Sequence, residues 1–406
     1  MGKRTGSADL PLHGGRVPAW LSQRMARLGR VVVEAILLEY GRRELLARLS
    51  HPFWFQSLGA VMGMDWHSSG ITTSVIGALK RGLAPAEAEL GLRVCGGRGR
   101  HSRKTPDELL AFAEATGVDG DALARASRLV AKVDSAAVQD GFQIYLHGFI
   151  AAADGSWVVV QQGMCPERGQ ARRYHWLSSE VKSFVDAPHT GIDGEPTGDI
   201  INLTDARAAR ARAAQVELVA AGPDAVLPHL HLPGHHDVRP SDVVLRRLHG
   251  ALAAAAARAP VDFADLLATP GLGARTVEAL ALVAEVVHGA PSRFTDPARF
   301  SYAHGGKDGH PFPVPLRVYD RTLSVLRRAV DRARLGNGDK LAALRRLDVE
   351  ARRLEAVAGG ADFAALIERE RRASHRYGGR TVMGRARPPA PARDESAPRS
   401  RQLSLF

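Results

Sequence analysis

The sequence predicts a mainly α-helical protein with a small β element, an α+β fold. Three observations carry this. Apolar residues recur at helical spacing through most of the 406 residues. One pair of segments instead alternates with period two around a turn. The composition, 45% hydrophobic and 24% charged, is that of an ordinary globular chain. The length suits two domains and a tail: an N-terminal α+β domain over 1–204, a helical domain over 205–376 and a disordered tail over 377–406.

Residues 1–16 are glycine-rich and read as extended. Pro18 opens a helix through Trp20, Met25 and Val32, and a second runs from about Ile36 to Leu49. After Pro52, the apolar run Phe53 to Met62 reads as core. It leads into Asp65-Trp66-His67-Ser68-Ser69-Gly70, a polar island where Ser68 or Ser69 could cap the next helix. Asp65 and His67 could instead share a metal or an acid–base task.

Gly91 to Lys104 reads as a flexible loop in which Arg98, Arg100, Arg103 and Lys104 concentrate positive charge. Its spacing excludes a Walker-type phosphate loop, leaving non-specific backbone contact or a solvated basic loop. Helices follow at 106–116 and 121–138. The β signal is Phe142 to Ile150 and Trp157 to Gln162 around Asp154-Gly155-Ser156. Asp140 precedes it, but Gln161 and Gln162 stand where a metal nuclease would favour a carboxylate. Arg172-Arg173-Tyr174-His175-Trp176 suits either nucleic-acid stacking or cations packed on structural aromatics. His229, His231, His235 and His236 suggest zinc only weakly, with no cysteine nearby and prolines disturbing the spacing. Helices near 240–258 and 261–268 lead to Thr269-Pro270-Gly271-Leu272-Gly273 and a helix ending around His288. Beyond it lie a second polar island, with His304, Lys307 and Asp308, and long helices at 316–334 and 338–376.

The net charge of +12 favours a polyanionic partner. With only Cys95 and Cys165, a disulfide framework is not expected. No apolar run could span a bilayer, and Lys3 and Arg4 are not followed by the apolar core of a secretory signal. The expected location is cytoplasmic and nucleoid-associated, with no membrane partner.

Two short motifs and one longer match are resemblances. The apolar pair Leu266-Leu267, the Pro-Gly-Leu-Gly turn and the helix after it resemble the helix-hairpin-helix module, which implies sequence-independent DNA-backbone binding. Thr269, Gly271, Leu272, Gly273, Arg275 and Thr276 would form that contact, and an ordinary glycine-turn hairpin is the plain alternative. Gln402-Leu403-Ser404-Leu405-Phe406 resembles the bacterial sliding-clamp binding motif, so Gln402, Leu403, Leu405 and Phe406 would dock in an apolar groove of the clamp. Six phrases in order, among them Asp65-Trp66-His67-Ser68-Ser69-Gly70, Arg172-Arg173-Tyr174-His175-Trp176-Leu177 and Ala303-His304-Gly305-Gly306-Lys307-Asp308-Gly309, resemble the uncharacterised family catalogued as domain of unknown function 763, over about residues 8 to 335. That family implies no activity.

These readings point to a bacterial DNA-repair or replication protein recruited by the sliding clamp. One form is a structure-specific, metal-dependent DNA endonuclease using Mg or Mn with Asp65, His67, His304, Lys307 and Asp308. Its rivals are a non-catalytic DNA-binding adaptor and an RNA-processing factor.

Overall fold

The computed structural model describes residues 17–64, 69–194, 196–230 and 245–298, with short segments at 10–11, 314–315, 372, 374–377, 379–381 and 384–385. β1 (Leu10–Pro11) comes first. α1 (Ala19–Ser50) follows, its helical run broken at Gly41, where φ is 80° and ψ 179°. The break between the two expected helices therefore lies later than the apolar pattern suggests. α2 (Pro52–Val61) places its proline in the first turn, and the His51 ring accepts a bond from the Trp54 amide. α3 (Gly70–Leu83) starts after Ser69. An N-cap hydroxyl needs extended backbone to reach the first-turn amides. Ser69 is helical (φ −59°, ψ −20°) and its side chain makes no cap bond, so the capping expected of it is not realised. Ser68 lies outside the described residues.

The β content exceeds the expected hairpin. α4 (Glu87–Leu90) ends at left-handed Gly91, and β2 (Leu92–Arg98) begins where a flexible loop was expected. α5 (Thr105–Thr116) and α6 (Gly120–Lys132) are joined by three residues, and a π-helical turn, Val133–Ala137, continues α6. Then come β3 (Val138–Gln139), β4 (Gln143–Ala152), β5 (Trp157–Cys165), β6 (Gln170–Leu177), β7 (Gly191–Asp193) and β8 (Asp199–Asn202). The sheet order is β1-β6-β5-β4-β2, with β7 also on β6. Every pairing is antiparallel. The expected hairpin is its centre, β4 and β5. β2 carries no strand signal in the sequence because Gly96 and Gly97 interrupt its apolar alternation, and β6 none because it carries adjacent arginines.

Then follow α7 (Ala209–Ala220), α8 (Pro223–Val226), α9 (Leu245–Arg258), α10 (Phe263–Leu267), α11 (Ala274–His288) and β9 (Arg293–Thr295). β9 joins β3 and β8 in a second, three-stranded sheet.

Successive strand residues face opposite ways, and the main sheet uses both faces. Leu146, Ile150, Val158 and Val160 pack with α1 to α3. Phe149, Ala151, Trp157, Val159 and Trp176 pack with α5, α6 and the helices from α7 onward. The second core runs continuously across residue 204, drawing Leu266, Leu272, Val277 and Leu280 onto the same body as Phe149. Among the described residues no helix is long and apolar enough to cross a membrane.

Candidate functional site

The turn between α10 and α11 is built from both sides. Asp262 caps α10 by accepting from the Asp265 amide at 2.7 Å. Gly271 adopts φ +84°, a left-handed value that suits glycine. Gly273 does not: at φ −131° and ψ −178° it is extended and serves as the N-cap of α11. Left-handed freedom is thus needed only at Gly271. The Gly273 carbonyl accepts from the Thr276 and Val277 amides at 3.0 and 3.1 Å. Leu272 is fully buried between the glycines, and Thr269 and Thr276 are buried too. Gly271 and Arg275 are exposed, and Gly273 is half-buried. Of the residues expected to touch DNA here, Thr269, Leu272 and Thr276 are buried, and their amides already donate to Leu266 O, Thr269 O and Gly273 O.

Two side chains from the other half of the chain hold this turn. The Lys132 ammonium donates to the Leu272 carbonyl. Gln139 Nε2 donates to the Ala274 carbonyl at 3.0 Å and to Ala136 O. Burial lowers the Lys132 pKa. No sequence signal foretold either contact, which joins residues more than a hundred positions apart.

The basic cluster is ordered rather than a loose loop. Arg98 ends β2, and Gly99–Lys104 forms a 3-10 turn held by Ser102 Oγ donating to Gly99 O and Thr105 Oγ1 donating to Ser102 O. Arg98, Arg100, His101, Arg103 and Lys104 are all exposed. The nearby carboxylate of Glu108 is engaged elsewhere: it accepts from Lys80 at 2.7 Å and from the Gly96 amide at 2.6 Å. Gly96 is required there, because a Cβ would lie 2.2 Å from His147 O. α5 and α6 pack along each other after a three-residue reversal, so the start of α5 lies beside the end of α6. The basic turn and the Lys132-held α10–α11 turn therefore occupy the same end of this helical pair.

The polar residues of β4 to β6 form buried networks. On the α6 face, Gln161 Nε2 donates to Asp134 Oδ2 at 2.5 Å and to Val130 O. Its Oε1 must then accept, so His147 carries its proton on Nδ1 (2.6 Å) and its Nε2 accepts from Ser127 Oγ at 2.9 Å. This resembles a nucleophile–base arrangement, but Ser127 and His147 are each only 3% exposed, which shuts a substrate out. Burial holds the His147 pKa down. Asp134 also accepts from Trp176 Nε1 and pairs with His189.

The pleat splits the adjacent arginines of β6. Arg172 faces Asp140 (2.7 Å), Asp296 (2.8 Å) and the Phe142 ring. Arg173 faces the opposite side, toward Asp193 (2.6 Å), Gln56 and the Phe55 ring. Both are buried, so the structural alternative holds for this segment. Asp140, weighed as a nuclease carboxylate, instead accepts from Arg172, Tyr174 Oη and the Phe142 amide. Burial raises its pKa, with Arg172 opposing. Among the described residues no group of three or more His, Cys, Asp or Glu is placed to hold a metal ion.

Asp65, His67, His304, Lys307 and Asp308 lie outside the described residues, as do Gln402, Leu403, Leu405, Phe406 and His231, His235 and His236. Their flanks are described. Ser69 O accepts from Gln162 Nε2 on β5 at 2.9 Å, and Ala298 packs against Tyr174 on β6.

A family model described as "Protein of unknown function (DUF763)" matches residues 6–314. The chain belongs to this family. The match takes in the whole main sheet, the basic turn and the α10–α11 turn, and ends before the tail. No curated protein matched the chain, and no solved structure did.

Proposed function

We propose that this DUF763 protein binds double-helical DNA through its phosphate backbone, without reading sequence. The carrying observation is the α10–α11 turn. An α-helix leaves its first amides without intrahelical acceptors and adds a partial positive charge there. At α11 this end is presented through an extended glycine whose Cβ position meets none of the described residues within 4 Å. The exposed Arg98–Lys104 turn at the same end of the α5–α6 pair supplies further cations for phosphates. The net charge of +12 agrees.

In this reading the chain acts in bacterial DNA repair or replication, and Gln402, Leu403, Leu405 and Phe406 recruit it to the sliding clamp. A metal-dependent nuclease centre would draw on Asp65, His67, His304, Lys307 and Asp308 with Mg or Mn. The described flanks do not add support for their convergence: Ser69 is held by Gln162, which pairs with Arg173 on one face of the β5–β6 pair, whereas Ala298 packs on Tyr174 on the other. One observation favours a non-catalytic adaptor instead: the buried carboxylates Asp134, Asp140, Asp193 and Asp296 all hold structural partners. Incubation with labelled duplex, fork, flap and single-stranded DNA, with and without Mn²⁺, separates the two. Cleavage that Asp65→Ala and Asp308→Ala abolish supports the nuclease. Binding without cleavage supports the adaptor, and no binding to any of these DNAs rejects both.

A further inference from the structure

The contacts behind the α10–α11 turn carry one step more, which rests on the DNA-binding reading above. We propose that Lys132 is a positioning residue for phosphate binding, setting the direction of the Gly273 amide from behind the turn. In a trans peptide unit the C=O of one residue and the N–H of the next point in opposite directions. Lys132 pulls the Leu272 carbonyl inward, so the Gly273 N–H in the same unit is turned away from the protein body. Gln139 draws the Ala274 carbonyl inward and fixes the Ala274–Arg275 unit, two peptide units along the chain. The carbonyls on either side of Gly273 are thus both held by one segment, the end of α6 and its π-helical continuation.

The segment itself is anchored. Asp134, two residues after Lys132, is tied to Gln161, Trp176 and His189, so the ammonium cannot drift without disturbing the buried network. An ammonium on the carbonyl also polarises the peptide unit and strengthens its N–H as a donor. Among the described residues a Cβ built at Gly273 meets nothing within 4 Å, so open space adjoins this residue. Lys132 therefore acts on bound phosphate through the Gly273 amide rather than by touching it.

The test measures duplex affinity across a salt series for wild type, Lys132→Met, Lys132→Arg and Gly273→Val, with unfolding midpoints recorded for each. A charge-assisted hydrogen bond that orients the amide is expected to give Lys132→Met an affinity roughly tenfold weaker. Its salt slope should be shallower by about one phosphate contact, and Lys132→Arg should restore both. A purely structural lysine would lower the midpoint and leave the slope unchanged, and that result overturns the proposal. If Lys132→Met does not fold, Gln139→Leu serves in its place, with a smaller loss in the same direction; wild-type affinity and slope in that variant overturn the proposal. A Gly273→Val loss with Lys132→Met unaffected removes Lys132 but leaves the turn as the contact. Absence of duplex binding by the wild type removes the DNA reading itself.

Discussion

Gly271 and Gly273 stand two residues apart and should respond to alanine in opposite ways. At both positions a Cβ meets none of the described residues within 4 Å, so the backbone decides. Gly271 sits at φ +84°, where an L-residue costs about 1–2 kcal/mol. Gly273 is extended, a conformation alanine adopts freely, and the loss of unfolded-state freedom stabilises by about 0.4–1 kcal/mol. Gly271→Ala should therefore lower stability by about 1–2 kcal/mol, whereas Gly273→Ala should leave it unchanged or raise it slightly. Urea titration followed by tryptophan fluorescence measures both, with the denaturant slope checked for constancy. Equal stability of Gly271→Ala and wild type, or a loss beyond about 1 kcal/mol in Gly273→Ala, would refute the turn geometry on which the functional reading rests.

Other outcomes follow from the buried networks. Arg172→Met strands Asp140 and Asp296 without their cation, and should cost about 3–5 kcal/mol by urea unfolding; a loss under 1 kcal/mol would contradict the pairing. Gln215 is fully buried and its amide finds no hydrogen-bond partner among the described residues, so Gln215→Met should raise the urea midpoint, corresponding to about 1 kcal/mol; a lower midpoint would contradict this. His147 is held neutral by burial, and His175 by burial and the charge of Arg173, with both pKa values below the free value. A base with a depressed folded pKa contributes stability that is present above its unfolded pKa, about 6.5, and lost as pH falls toward the folded value. Each should contribute a loss approaching about 1.4 kcal/mol per pH unit below that point. The wild-type stability should thus fall more steeply than that of His147→Gln between pH 6.5 and 5; parallel curves would contradict the neutral assignment.

What the sequence revealed, and what it hid, has physical causes. The β4–β5 hairpin was legible because Phe149, Ile150 and Val158 to Val160 flank a turn sequence and face two apolar layers. α5, α6, α9 and α11 were legible from their spacing and end signals. β6 was hidden, because Arg172 and Arg173 are surface residues in most settings and only the pleat, with acids from distant segments, makes their burial tolerable. β2 was hidden because Gly96 trades apolar alternation for close approach to His147 and Thr105. At the candidate site the glycine turn could be read, but the separate roles of Gly271 and Gly273 could not, since composition does not specify dihedrals. Lys132 and Gln139 left no trace at all: their bonds are made to backbone carbonyls, which every residue carries.

The central claim is that the α10–α11 turn grips duplex phosphate. It is tested most directly by fluorescence anisotropy of a labelled duplex titrated with wild type and with Gly273→Val, over several salt concentrations and two unrelated sequences. Gly273→Val puts a side chain beside the amide, at a position where a Cβ meets none of the described residues within 4 Å. The account predicts wild-type binding that weakens linearly in log–log salt plots and is alike for both sequences. It predicts lower affinity and a shallower slope for the folded variant. Identical affinity and slope in the two proteins would contradict it.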